Sequence, residues 1–276
     1  MSAHAHVSQL PRTAHTGRVT QARVALSEWT KLHSLRSTRW SLLVGFLLTI
    51  ALPVLFAAVT SSHWGSMSPH ERADRHPLDI ALAGVNLSQL AIAVLGVLVI
   101  TGEYSTGMIR ASFTAVPRRL PVLWAKTAVF GSVAFLLMVP PVLIAFFASQ
   151  AILSRHHILQ ISFSHPGVAR SVIGGAVYLM LVGIFALGIG AIVRNTAGGI
   201  AAFAGIFFVI PPLMNVLPTS WNNAISQYLP SEAGRQVFSL THGDHSLSPW
   251  PGTALFVGYC ALALAIAAVL LVRRDT

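Results

Sequence analysis

SVIGGAVYLMLVGIFALGIGAIV (171–193), RNT (194–196) and AGGIAAFAGIFFVIPPLM (197–214) follow one another without a break, and neither apolar block carries a charge. A helix rises about 1.5 Å per residue, so about 20 residues cross a hydrocarbon core about 30 Å thick. Each block therefore reads as one membrane crossing. The interruption amounts to little more than Arg194-Asn195-Thr196, which makes the pair a tight helical hairpin.

Working outward, uncharged apolar cores recur at roughly 40–60, 80–101 and 127–152 before this pair and at 251–272 after it. With 169–193 and 197–215 they make six expected spans, joined by 61–79, 102–126, 153–168, 194–196 and 216–250. The composition agrees: 54% of the 276 residues are apolar and 9% charged, against about a quarter charged in soluble domains. That excludes an ordinary water-soluble enzyme and a disordered or fibrous chain. The single cysteine, Cys260, sits in an apolar run, which excludes an internal disulfide and argues against a cysteine metal site. The first apolar run lies behind a polar tail and is too long for a signal h-region, so no cleavable signal is expected.

Residues 1–19 are polar, His-rich and aperiodic, and read as a disordered tail. Within 20–39, Ala22, Ala25, Leu26, Trp29 and Leu32 recur at helical spacing, opposite Arg23, Ser27, Lys31 and Ser34. This pattern predicts a basic amphipathic helix lying at the membrane interface. Residues 40–274 then form a six-helix transmembrane domain. The expected class is an all-α membrane protein.

An even number of spans places both termini on one side. If that side is the cytoplasm, Arg12, Arg18, Arg23, Lys31, Arg36, Arg39, Arg110, Arg118, Arg119, Lys126, Arg194, Arg273 and Arg274 lie inside, thirteen in all, and Arg72, Arg75, Arg155, Arg170 and Arg235, five in all, lie outside. The positive-inside rule therefore places both termini in the cytoplasm. The net charge of +10 is then a topology signal rather than a nucleic-acid footprint.

The span cores lack the ionisable groups that proton-driven transporters and intramembrane enzymes need at depth. No catalytic constellation is present, and neither lysine, Lys31 or Lys126, stands in a Gly-rich phosphate-binding loop. No catalytic, cofactor-binding or metal residues are assigned, and the chain is expected not to hydrolyse ATP by itself. His242-Gly-Asp-His245 is the most metal-like local cluster, but its spacing is non-specific and a solvated loop accounts for it.

The connection between spans two and three exceeds a minimal turn of about two to eight residues. Its middle, Ser105 to Ala115, reads as a short helix stopped before Pro117, with Met108, Ile109 and Phe113 apolar and Glu103 and Arg110 flanking. Such a helix suits docking on a partner protein, with lying on the membrane surface as the plainer alternative.

Glu103-Tyr104-Ser105-Thr106-Gly107-Met108-Ile109-Arg110 followed by Val116-Pro117-Arg118-Arg119 resembles the cytoplasmic loop of the ABC-2 type permeases, the membrane subunits of ATP-binding-cassette exporters. Ser27-Glu28-Trp29-Thr30-Lys31-Leu32 with Arg36-Ser37-Thr38 resembles the amphipathic helix of the actinobacterial form, and Tyr228-Leu229-Pro230-Ser231-Glu232-Ala233-Gly234 its outer segment before the last span. The likeness runs over about residues 20–274. It implies a half-transporter in a bacterial plasma membrane that pairs with a second permease copy, identical or different. It further implies docking of a separate subunit that binds ATP and Mg, through a coupling helix between spans two and three. The partner-binding candidates are Glu103, Tyr104, Gly107, Met108, Ile109, Arg110, Phe113, Pro117 and Arg118. A non-transporting membrane sensor or assembly subunit is the alternative.

For the translocation path the candidates are Asn86 and Gln89, three apart and so on one helical face, and the kinking pairs Pro140-Pro141 and Pro211-Pro212. Helix packing explains each of these as well. Gly183, Gly188, Gly190, Gly198, Gly199 and Gly205 read as points of close helix approach. Trp221, Tyr228 and Trp250 suit the outer interface.

Overall fold

The structure, a computed structural model, describes residues 26–30, 36–105, 119–156, 158–240, 243 and 245–274. It is helical, with no strand among the described residues. Six helices are long and apolar enough to cross a membrane: α1 (Arg36–His63), α2 (Pro77–Ser105), α3 (Arg119–Arg155), α4 (Val168–Val193), α5 (Thr196–Met214) and α6 (Pro249–Arg274). The tail 1–19, most of 20–39, and Gly107, Met108, Ile109, Arg110, Phe113, Pro117 and Arg118 lie outside the described residues.

Five of the six helices overrun the apolar cores that announce them, and α5 keeps the expected length but begins and ends one residue earlier. The largest extension is at α3, which starts at Arg119 rather than near 127 and so takes in Lys126. Backbone hydrogen bonding continues past the hydrocarbon edge wherever polar side chains find partners.

The connections alternate between two ends of the bundle. The proximal end gathers residues 26–30, the α2 and α3 termini flanking 106–118, the α4–α5 hairpin and the end of α6. There Arg194 sits over the Tyr104 ring at 5.0 Å and donates to Leu270 O at 3.2 Å. The distal end gathers 64–76, 158–167 and 215–240.

Helices α2 and α4 form the centre of the bundle. Of the most apolar window of α4, 72% is buried, against 17% for α5. Side-chain hydrophobicity does not order helices inside lipid, so close backbone packing must do so. Gly96 of α2 meets Gly183 of α4 so tightly that a Cβ on Gly96 would stand 2.3 Å from the Gly183 carbonyl oxygen. Of the six small residues singled out by sequence, five press on a neighbour within 3 Å of an added Cβ, whereas Gly205 faces open space. Hydroxyls tie helices across the bundle: Thr49 donates to Ser88 at 2.7 Å between α1 and α2, and Thr101 and Thr196 share a 2.8 Å bond between α2 and α5.

The α4–α5 hairpin is tight, as the sequence indicates, and turns on two residues rather than three because Thr196 already belongs to α5. Arg194 takes a left-handed conformation (φ 57°) with its amide donating to Gly190 O, and Asn195 caps α5 by accepting from Gly198 N at 2.9 Å. Gly205–Val209 forms a π-helical turn just before Pro211-Pro212, which absorbs the backbone bonds the prolines cannot make. Phe203 and Phe207 stack at 4.3 Å, and Phe207 lies 5.7 Å from Phe185 of α4 and 6.0 Å from Phe256 of α6.

Candidate functional site

At the proximal end, Lys126 of α3 is held between two carboxylates. Its Nζ donates to Glu103 Oε1 at 2.9 Å and to Glu28 Oε2, and the three residues are only 3–5% exposed. One cation and two anions meet at a point shared by the 26–30 helix, the end of α2 and the start of α3. The 106–118 connection springs from this junction. Glu28 faces inward here, while Leu26 and Trp29 on the same short helix are exposed from the protein. That orientation suits an apolar face turned to lipid and an acidic one turned to the bundle. Of the nine partner-binding candidates, the structure describes Glu103 and Tyr104. Glu103 joins the ion cluster, and Tyr104 lies beneath Arg194.

At the distal end, segment 228–240 folds back into the bundle. Ala233 and Gly234 are buried, with Gly234 against Phe256 and Tyr178. Arg170, in the first turn of α4, fixes this segment by donating to the carbonyls of Val237 at 3.0 Å and Ser239 at 2.9 Å. A Cβ on Gly174 would stand 2.5 Å from Val237 O, so only glycine lets the segment approach this closely.

Two cavities flank this segment. One, of about 280 Å³, is bounded by Asp79 and Asn86 of α2 and by Glu232, Arg235 and Gln236. The other, of about 340 Å³, is bounded by Pro211, Pro212 and Asn215 at the end of α5 and again by Glu232 and Gln236. Asn86 and the Pro211-Pro212 pair, far apart in sequence, thus line cavities that share two walls. Gln89 lies deeper and is buried: Tyr178 Oη donates to its Oε1, and its Nε2 donates to Asn86 O at 2.8 Å. It serves packing between α2 and α4 in this arrangement. Pro140 is exposed and Pro141 buried in mid-α3, and neither borders these cavities.

Sequence reading passed over Glu28, Lys126, Glu232 and Gln236. A signal existed for Lys126, because a lone lysine at the start of one span and a glutamate, Glu103, at the end of the preceding one are complementary, whereas Glu28 lies ahead of the first span and gave none. None existed for Glu232 and Gln236, which only tertiary folding brings beside α2. His242 and Asp244 lie outside the described residues, and no group of three metal-ligating side chains occurs among those described.

The architecture is that of a multi-pass membrane protein built on six apolar helices. No protein-family model matches the chain, and no relative is found among curated proteins.

Proposed function

We propose that this chain is the permease subunit of an ATP-binding-cassette exporter of the ABC-2 type, with both termini in the cytoplasm of a bacterial cell. It pairs with a second permease copy and takes its energy from a separate subunit that binds ATP and Mg. The observation that carries the reading is the buried Glu28–Lys126–Glu103 cluster under the α2–α3 connection. A force applied by a docked partner to residues 106–118 would reach α2, α3 and the 26–30 helix together, because the ion cluster binds their ends. Helix α2, locked to α4 at Gly96 and Gly183, runs as one element from Glu103 to the distal Asp79, where the polar cavities begin. The resemblance in sequence at 103–119 supports the same reading.

The test is recovery of the partner. Chain purified from its native membrane is expected to bring down a subunit with a Walker motif and vanadate-sensitive ATPase activity. The double substitution Met108→Asp, Phe113→Asp should abolish that recovery while the chain still inserts, since it leaves the spans untouched. Full recovery and full transport in the double variant, or ATP hydrolysis by the pure chain, would overturn the proposal.

A further inference from the structure

We infer that the distal cavity between α2 and segment 228–240 is a binding site for a primary ammonium group on a small, partly apolar molecule. Gln236 is only 9% exposed, and its Oε1 accepts no hydrogen bond among the described residues, although its Nε2 is used on Glu232 O at 3.3 Å. A buried acceptor without a donor is costly, and a ligand N–H supplies what is missing. The charges around it have the matching sign. Asp79 and Glu232 are both carboxylates, and Arg235, 3.4 Å from Glu232 Oε1, offsets one of them. One negative charge is left over in the lining. Arg170 of α4 is spent on backbone carbonyls of the segment and does not line the cavity.

The remaining walls define the rest of the ligand. Leu82 and Phe238 are buried apolar side chains, and they suit a short hydrocarbon or a single ring. A volume of about 280 Å³ takes a molecule of that size, near the lower end for small-molecule pockets. A metal ion fits poorly, because no three His, Cys, Asp or Glu side chains converge among the described residues. The ammonium could belong to a free amine or to a phosphatidylethanolamine headgroup. Joined to the proposed permease role, the site makes primary amines the class of compound carried. That extension rests on the permease reading, whereas binding itself needs neither partner nor ATP.

The probe is phenethylammonium, titrated calorimetrically into the full chain in phosphatidylcholine nanodiscs, whose headgroups lack N–H donors. Saturable binding is expected, weakened at least tenfold in Gln236→Leu and in Asp79→Asn. Gln236→Glu, which restores an acceptor, should retain binding and so separates lost recognition from lost folding. Phenethyl-trimethylammonium, equal in charge but without N–H donors, should bind at least tenfold more weakly. Replacing the lipid by phosphatidylethanolamine identifies the source: competition with the probe assigns the site to the headgroup, and unchanged binding assigns it to free amines. Absence of saturable binding, equal affinity for the quaternary analogue, or unaltered affinity in Gln236→Leu overturns the inference.

Discussion

Lys126 shows how one residue can organise a membrane protein from just outside its hydrocarbon core. Removing a charged group from water is expensive, and attraction between partners offsets that cost only when all of them are present and well placed. In Lys126→Met two buried carboxylates would be left facing each other. The expected loss is about 3–5 kcal/mol, read as a lower unfolding temperature in detergent and a reduced yield of folded chain. The triple variant Glu28→Gln, Glu103→Gln, Lys126→Met should recover most of that loss, because it removes all three charges at similar volume. A single variant as stable as the parent would show that the cluster contributes nothing. Arg194 repeats the pattern: its left-handed backbone costs about 1–3 kcal/mol, and its guanidinium secures both α2 through the Tyr104 ring and α6 through Leu270 O.

Elements obey more local rules, and the short helix Pro69–Ala73 between α1 and α2 isolates one of them. Ser68 Oγ accepts from Glu71 N at 3.3 Å while Ser68 N donates to Glu71 Oε2 at 2.7 Å, a reciprocal cap. The backbone donor holds the Glu71 carboxyl below its ordinary value of 4.5. A group whose folded pKa is depressed stabilises the fold above its unfolded pKa, and that contribution is lost as pH falls through the folded value. Hydrogen-exchange protection of the Ser68 amide should therefore be constant from neutral pH down to about 5 and fall below 4.5. Glu71→Gln should remove the pH dependence. Protection that stays level through this range in the parent chain would show that the cap is not formed. The six long helices were legible in the sequence because lipid demands an uncharged run of fixed length, and the tight hairpin because only Arg194-Asn195-Thr196 interrupts two such runs. Their ends were not, since hydropathy stops at the first charge while hydrogen bonding continues: Lys126 reads as loop and lies within α3. The distal cavities were half legible. Asn86 and Pro211-Pro212 stand out as polar or kinking residues in apolar helices, whereas Glu232 and Gln236 look like ordinary loop residues until Arg170 and Gly174 draw their segment against α2.

For the whole molecule, the question is which end faces the cytoplasm. The ion cluster, the Arg194 contacts and the end of α6 share one end, so the orientation is a single choice for the entire bundle. Thirteen basic residues against five favour the proximal end inside, and setting aside Arg12 and Arg18 as remote from the first span still leaves eleven. The native thiol gives little background, because Cys260 is 4% exposed among apolar neighbours, and Cys260→Ala removes it altogether. On that background, single cysteines at the exposed positions Ser66 and Ser220 should react with a membrane-impermeant maleimide in intact cells. A cysteine at the exposed Ser27 should react only after the membrane is opened. Ser66 follows α1 and Ser220 follows α5, so one reagent reads two connections separated by four crossings. Labelling of both from outside fixes an even number of crossings between them and excludes the inverted bundle. Labelling of Ser27→Cys in intact cells, with both distal positions protected, would invert the topology and put the α2–α3 connection beyond the reach of any cytoplasmic partner.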